Sequence, residues 1–234
     1  MRQLLAQEEK VTLTLAPTEI RPTKRVTVCV KESLEAIVQL DTRSLRTLLQ
    51  DAWVDHGHHA VLAEVLSPLL QHIGALWRSG DMRIMHERLA SSVIRPFLNE
   101  LAETYPQADE APSMVVATPV GENHEIGALM ALAVAASEGW QCTYLGPDMP
   151  AREIADASHQ IGADAVALSV VNPTVGPRVM SEINALRQLL SPKVQILAGG
   201  EGARAYQDFL KKLNVTHVVD LGHFQSMISQ LVEA

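Results

Sequence analysis

Apolar residues follow two rhythms along this chain, and the change between them divides it. From Asp41 to about Tyr105 they recur every three or four positions, the spacing of one helix face. Asp41 or Thr42 stands as the N-cap of RSLRTLLQDAWVDHG, where a short oxygen-bearing side chain can accept from the unpaired N–H groups of a first turn. The following AVLAEVLSPLLQHIGALW aligns Leu62, Val65, Leu66, Leu69, Ile73 and Leu76 on one stripe, and Pro68 predicts either a kink or a first helical turn. Arg78, Ser79 and Gly80 break the pattern, after which MRIMHERLASSVIRPFLNELAETY resumes it. Residues 41–105 are expected to form a helical bundle, with KESLEAIVQL ahead of it as a candidate further helix. The stretch from Pro106 to Pro112, rich in acidic and turn residues, reads as a linker.

Beyond residue 112 short apolar runs alternate with helical stretches, the order that specifies a parallel sheet covered by helices on both faces. The expected strands are MVVATP, QCTYLG, AVALSVV, VQILAGG and THVVDLG. Helices are expected to start near His124, Ala151, Pro177 and Ala203, with a last one through FQSMISQLVEA. The fold class is therefore α/β: an N-terminal helical bundle, then a flavodoxin-like (Rossmann-type) five-stranded parallel sheet of order 2-1-3-4-5. In that order a ligand crevice opens at the carboxyl ends of the first and third strands. The first forty residues hold two β-rich runs, VTLTLA (11–16) and RVTVCV (25–30), which predict either a small ribbon or a linker. The expected division is an extension over 1–40, a bundle over 41–105 and an α/β domain over 113–234.

The loop after the first strand reads TPVGENHEIG. Gly121 and Gly127 lie six apart with a histidine between them, which is not the Gly-x-Gly-x-x-Gly turn of a dinucleotide site. Nineteen Lys and Arg against 27 Asp and Glu give a net charge of −8, which disfavours a chain-wide phosphate-binding surface and direct nucleic-acid binding by this segment. No run of about 18 apolar residues is read, so no membrane span is expected. MRQLLAQEEK lacks the features of a signal peptide, and the expectation is a cytoplasmic protein. Cys29 and Cys142, each in an apolar stretch, read as packing residues. His56, His58 and His59 in HGHH read as exposed histidines capping a helix that ends at Gly57.

Three segments resemble the cobalamin-binding domain shared by methionine synthase, corrinoid proteins of methyltransferase systems, and light- or cobalamin-sensing transcription regulators. That family carries Asp-x-His-x-x-Gly after the first strand, Ser-x-Leu after the third and Gly-Gly after the fourth. This chain has Glu122-Asn123-His124-Glu125-Ile126-Gly127, Ser169-Val170-Val171 and Gly199-Gly200 at those strand ends. The resemblance implies that His124 is the lower cobalt ligand, with the cofactor's own nucleotide base displaced into a channel between sheet and helices. Chemistry agrees at each position. A neutral imidazole is the commonest nitrogen ligand. Glu122 can accept from its other ring nitrogen, which sets the tautomer and raises basicity. Ser169 can bond the displaced base, Gly127 allows close backbone approach, and Gly199 and Gly200 leave a slot for the tail.

In the sensing branch the preceding bundle carries a Trp, nine residues, then Glu-His, and this covers the upper face of the corrin. Here Trp77 is followed at that spacing by Glu87 and then Arg88, so the Trp and Glu match and the His does not. The resemblance implies that Trp77 caps and Glu87 contacts an upper group. Met82 and Met85 read as packing at helical spacing. The surrounding text is similar to the C-terminal halves of MerR-type cobalamin-dependent regulators over roughly residues 41–220.

The resemblance thus implies a sensor module whose cofactor, adenosylcobalamin or methylcobalamin, sets the packing of bundle on α/β domain and through it homo-oligomerisation or a transcription-factor partner. No winged-helix reader is read ahead of the bundle, so the expectation is either the effector part of a longer regulator, as MRQLLAQEE suggests, or a free-standing relative. Two alternatives stand beside it. One is a corrinoid carrier between methyltransferases. The other, motivated by Arg88, is a binder of another tetrapyrrole such as a bilin, whose propionates a guanidinium would pair. No nucleophile–base pair or phosphate loop is read, and turnover by this chain alone is not expected.

Overall fold

The computed structural model describes residues 24–232 except 107 and 173–175. Helix α1 (Lys24–Val38) opens it. It takes in RVTVCV, so that run is helical and the expected strand is corrected; VTLTLA lies outside the described residues. The physical reason is tertiary. Val26, Val30, Ser33 and Ile37 recur at the spacing of one helical stripe that the bundle core buries, while Val28, which a strand would place on the same face as Val26 and Val30, is left exposed.

Helix α2 (Thr42–Ala60) begins at Asp41, whose carboxylate accepts from Ser44 N–H (3.0 Å) and Ser44 O–H (2.7 Å). Its continuation is a π-helical stretch, Val61–Leu66, and then α3 (Ser67–Ser79). Pro68, with no N–H to give, sits in the first turn of α3, and the wider π turn ahead of it closes through Ser67 N–H to Leu62 C=O. One window of this long helical run is apolar enough by length and composition to cross a membrane. Its Leu62, Val65, Leu66 and Leu69 are instead buried in the protein core. Gly80 ends α3 in the left-handed region (φ 80°), and α4 (Ile84–Glu103) returns across the bundle.

Five parallel strands follow: β1 (Ser113–Pro119), β2 (Gln141–Met149), β3 (Ala165–Ser169), β4 (Gln195–Gly199) and β5 (Thr216–Val218), in the order β2-β1-β3-β4-β5. Helices α5 (Ile126–Ser137), α6 (Ala151–Ile161), α7 (Gly176–Leu189), α8 (Glu201–Ala205), α9 (Gln207–Lys212) and α10 (Leu221–Val232) connect and close it. Several boundaries differ from the sequence expectation; β2 runs on to Met149, β3 stops at Ser169 and α10 starts at Leu221. The first of these helices starts at Ile126 rather than His124, the helix near Ala203 is broken at Tyr206, and β5 stops at Val218 because Asp220 caps α10 through His223 N–H (2.8 Å).

Alternation along β1 shows how the layers are built. Met114 and Val116 enter one core with α5, α10 and the bundle; Val115 and Ala117 enter the other with α6 and α7. Helix α5 is apolar all round because it lies between sheet and bundle, with Ala128, Leu129, Ala133 and Ala135 almost wholly buried. Burying each leucine of that layer is worth about 1.5–3 kcal/mol, enough for a few such contacts to hold the two layers together.

The histidine cluster also departs from expectation. Gly57 leaves helical geometry (φ 82°, ψ 175°), but the helix resumes at once, and His58 turns inward rather than capping an exposed end. Its Nε2 lies 3.0 Å from Ala133 C=O on α5, its ring meets Tyr105 edge-on with centroids 4.9 Å apart, and its buried Nδ1 has no partner. The bond to a carbonyl places the proton on Nε2. Burial lowers the His58 pKa. Unfolded histidine titrates near 6.5, so the folded state binds fewer protons there, and this contribution to stability is lost as pH falls from that value through the folded one. Chemical denaturation of the cofactor-free chain between about pH 7 and about pH 5 is expected to show a steeper loss of stability in the wild type than in His58→Phe.

Candidate functional site

The loop from β1 into α5 stands at the carboxyl ends of β1 and β3, where the strand order reverses and the sheet opens. Its centre is Glu122. That side chain is 0% exposed, and four N–H groups converge on it. Oε1 accepts from His124 N–H (2.9 Å) and lies 2.5 Å from His124 Nδ1; Oε2 accepts from Val171 N–H (2.8 Å) and Asn172 N–H (2.7 Å) beyond β3. A buried carboxylate is costly unless its lone pairs are taken, and here both oxygens are used. Glutamate's additional methylene relative to aspartate gives one carboxylate the reach to hold both loops.

The same loop is fastened from the β2 side. Thr118 O–H donates to Glu122 C=O, Asp148 N–H donates to Thr118 Oγ1 (3.0 Å), and Asp148 Oδ1 accepts from Gly121 N–H (2.7 Å). Asp148 reaches them because β2 bulges against β1 after Tyr144 and continues past Gly146 (φ 95°).

His124 is thereby oriented, with Nδ1 committed to Glu122 and Nε2 left as the nitrogen for another partner; its side chain is 60% exposed. The Glu122 bond raises the His124 pKa most, burial opposes, and the charges of Glu122 and Glu87 add to the rise. For Glu122 burial pushes upward, but the His124 ring and the N–H groups of Asn172 and His124 outweigh it, holding the carboxyl below its ordinary value. The contact of Arg95 with Glu125 places α4 beside the loop. Glu87 accepts from Ser91 O–H (2.9 Å), and Arg95, a further turn along the same face, reaches Glu125 Oε1 at 2.6 Å.

Ser169 is 7% exposed and packs on Gly127, where a Cβ would fall 2.5 Å from Ser169 Oγ yet 3.6 Å from Ser169 Cβ. A side chain at Gly127 would thus have to displace the Ser169 hydroxyl. Gly200 (φ 102°) is demanded from within, since a Cβ there would strike the Val170 carbonyl, whereas at Gly199 it would make only ordinary contact with Val218 (3.4 Å). The structure brings together Glu122, His124, Gly127, Ser169 and the Val171 backbone, with Glu87 alongside. Val171 itself is part-exposed at the crevice. Trp77, at the last turn of α3, is 56% exposed, so it is no core aromatic. Met82 is buried as packing and Met85 is exposed. Arg88 pairs with Glu87 at 3.7 Å, and His86 Nδ1 accepts from Arg83 N–H at the start of α4, which occupies the histidine next to Glu87. Sequence reading misses Arg95, Tyr144, Thr118 and Asp148; only the i, i+4, i+8 spacing of Glu87, Ser91 and Arg95 points at any of them.

The donor set fits a large metal-bearing macrocycle. One exposed imidazole, fixed by a buried carboxylate, stands at the carboxyl ends of β1 and β3, with Glu87 and the exposed Trp77 on the preceding helices. This defines a corrinoid-binding α/β protein fronted by helices. Residues 112–232 match the B12 binding domain family, and residues 30–101 match a second B12 binding domain model. The chain belongs to the B12-binding family, and its cofactor is cobalamin.

Among curated relatives, the HTH-type transcriptional repressor CarH of Myxococcus xanthus is 31% identical over 152 residues, covering 65% of this chain and 50% of the repressor. The repressor CarA of the same organism is 29% identical, covering 71% of this chain and 56% of its own length. This chain therefore spans about half the length of these two relatives. Dimethylamine corrinoid protein 3 of Methanosarcina mazei is 25% identical over 57% of this chain and 83% of that protein. The monomethylamine corrinoid protein of Methanosarcina barkeri superposes with a TM-score of 0.65 over 88% of this chain and 99% of that one at 15% identity, which shows a shared fold.

Two outcomes test the geometry without cofactor. Gly127→Ala should destabilise the wild-type chain, but in a Ser169→Ala background the same change should stabilise by up to about 1 kcal/mol, because the clash is gone and helix propensity remains. Denaturation of the single and double variants reads this directly. The Glu122–His124 pair contributes fully above the ordinary carboxylate value of 4.5 and below the ordinary imidazole value of 6.5; it is lost as pH falls through the lowered Glu122 pKa or rises through the raised His124 pKa. The stability difference between wild type and His124→Ala should accordingly be largest between pH 4.5 and 6.5.

Proposed function

We propose that this chain is a cobalamin-dependent sensor module in which His124 Nε2 is the lower cobalt ligand and the cofactor's displaced base enters the α/β layer. The observation that carries it is the Glu122-locked imidazole at the β1/β3 crevice, facing a helix that presents Glu87. When bound, cobalamin supplies an upper cobalt–carbon bond whose making or breaking changes what the helices must accommodate. The chain's own residues hold the rest: Glu122 fixes the tautomer of His124, Ser169 offers a hydroxyl to the base, and Gly199 and Gly200 line the start of the tail's path. Trp77 and Glu87 stand on the helical side as contacts for an upper group, adenosyl or methyl. In this reading residues 24–105 act as a cap on an α/β unit spanning 113–232, and ligand-set packing between them controls self-assembly or a transcription-factor partner. Similarity to the two HTH-type transcriptional repressors supports regulation.

A corrinoid carrier is the second reading, favoured by coverage of 83% of a dimethylamine corrinoid protein against 50% of CarH. The two separate by experiment. The full chain is loaded with adenosylcobalamin or methylcobalamin, and its spectrum and sedimentation are recorded before and after illumination. A sensor keeps adenosylcobalamin and changes assembly when the upper group changes. A chain that shows no assembly response but accepts and releases a methyl group with methyltransferase partners is a carrier. For the ligand, cob(II)alamin bound to protein with histidine in heavy-nitrogen form should show that nitrogen's magnetic coupling, and His124→Ala should lose it while weakening binding by about 10-fold or more. Unchanged coupling in His124→Ala would remove the assignment.

A further inference from the structure

Glu125 follows His124 directly and is the last residue before α5, with its carbonyl accepting Leu129 N–H (3.0 Å) in the first turn. Its side chain is 13% exposed and spans two layers. Oε1 meets Arg95 Nη2 of α4 at 2.6 Å, while Oε2 accepts Tyr144 O–H of β2 at 2.5 Å. One carboxylate thus joins the helical cap, the sheet and the histidine loop. Arg95 lies on the α4 face that also carries Glu87 and Ser91, so a shift or rotation of that helix pulls on Glu125 before any other residue of the loop. Tyr144 anchors the other oxygen on the edge strand. Burial and then Glu125 hold its phenol above the ordinary value, so it remains a donor through neutral pH.

We infer that the Arg95–Glu125–Tyr144 bridge makes Glu125 a positioning residue for His124, transmitting the position of the helical cap to the nitrogen that meets cobalt. Glu122 sets the tautomer and orientation of the ring from within the crevice. Glu125 sets where the loop stands relative to α4, which Glu122 does not touch. When the cap is displaced the bridge either follows, carrying the loop that bears His124, or breaks, releasing that loop from α4. The link runs both ways, since the two ends of one coupling share a single free energy. The inference rests on the reading that His124 ligates cobalt.

The test uses the full chain, cob(II)alamin as probe, and the magnetic signature of the histidine-bound fraction at saturation. Arg95→Met and Tyr144→Phe change partly exposed or edge positions and preserve side-chain bulk; Glu125→Ala removes the bridge. Each is expected to lower the histidine-bound fraction at least about two-fold and to weaken binding by up to about 10-fold. Arg95→Lys should restore most of the fraction. Arg95→Met should add nothing in a Glu125→Ala background, because both act through one contact. If the variants lose only thermal stability, while bound cofactor remains fully histidine-ligated, Glu125 is structural and the inference fails. Additive effects of Arg95→Met and Glu125→Ala would overturn it as well. His124→Ala in the same assay separates the two levels. A lost signature there with unchanged bridge variants removes the bridge alone; a retained signature removes the ligand reading and the bridge's role together.

Discussion

A single buried carboxylate organises the carboxyl end of this sheet. Glu122 is removed from water, and such a charge survives only when its lone pairs are filled by well-placed donors. The donors come from two loops that the strand order forces apart, His124 on one side and Val171 and Asn172 on the other. Filling the carboxylate therefore also closes the loops around it. The helix that would otherwise begin at His124 is delayed to Ile126, and the imidazole is held by one nitrogen with the other left over.

The remaining tight contacts depend on that arrangement. The Ser169 hydroxyl occupies the place of a side chain at Gly127, and the Val170 carbonyl passes so close to Gly200 that a side chain there would collide. These glycines have internal reasons to be glycine, before any cofactor is considered. Walls already in contact through backbone at Gly200 and Val170 have little freedom to rearrange.

The helical cap is joined to the α/β layer in two different ways. Apolar packing through α5 is broad and non-directional, and it makes that helix hydrophobic all round. Polar ties are few and directional: His58 to Ala133 at one end and Arg95 to Glu125 at the other. The first kind resists separation, while the second registers relative position.

Much of this is legible in the chain. The two hydrophobic rhythms determine helices first and a parallel sheet afterwards, because periods of 3.6 and 2 cannot be satisfied by the same element. The strand order and the spacing of Glu122, His124, Gly127, Ser169, Gly199 and Gly200 are readable because each lies at a strand end or within a few residues of one. RVTVCV reads as a strand because β-branched residues favour strands locally, and only a bundle core at Val26, Val30 and Ile37 overrules them. His58 reads as an exposed cap because Gly57 looks like a terminus; only Ala133 and Tyr105, brought alongside by the fold, turn the next residue inward. Arg95, Glu125 and Tyr144 are scattered by tens of positions, and no local pattern connects them. Side chains that meet through space carry no mark of it in sequence, so short-range chemistry came from the residues and long-range coupling was decided by the fold.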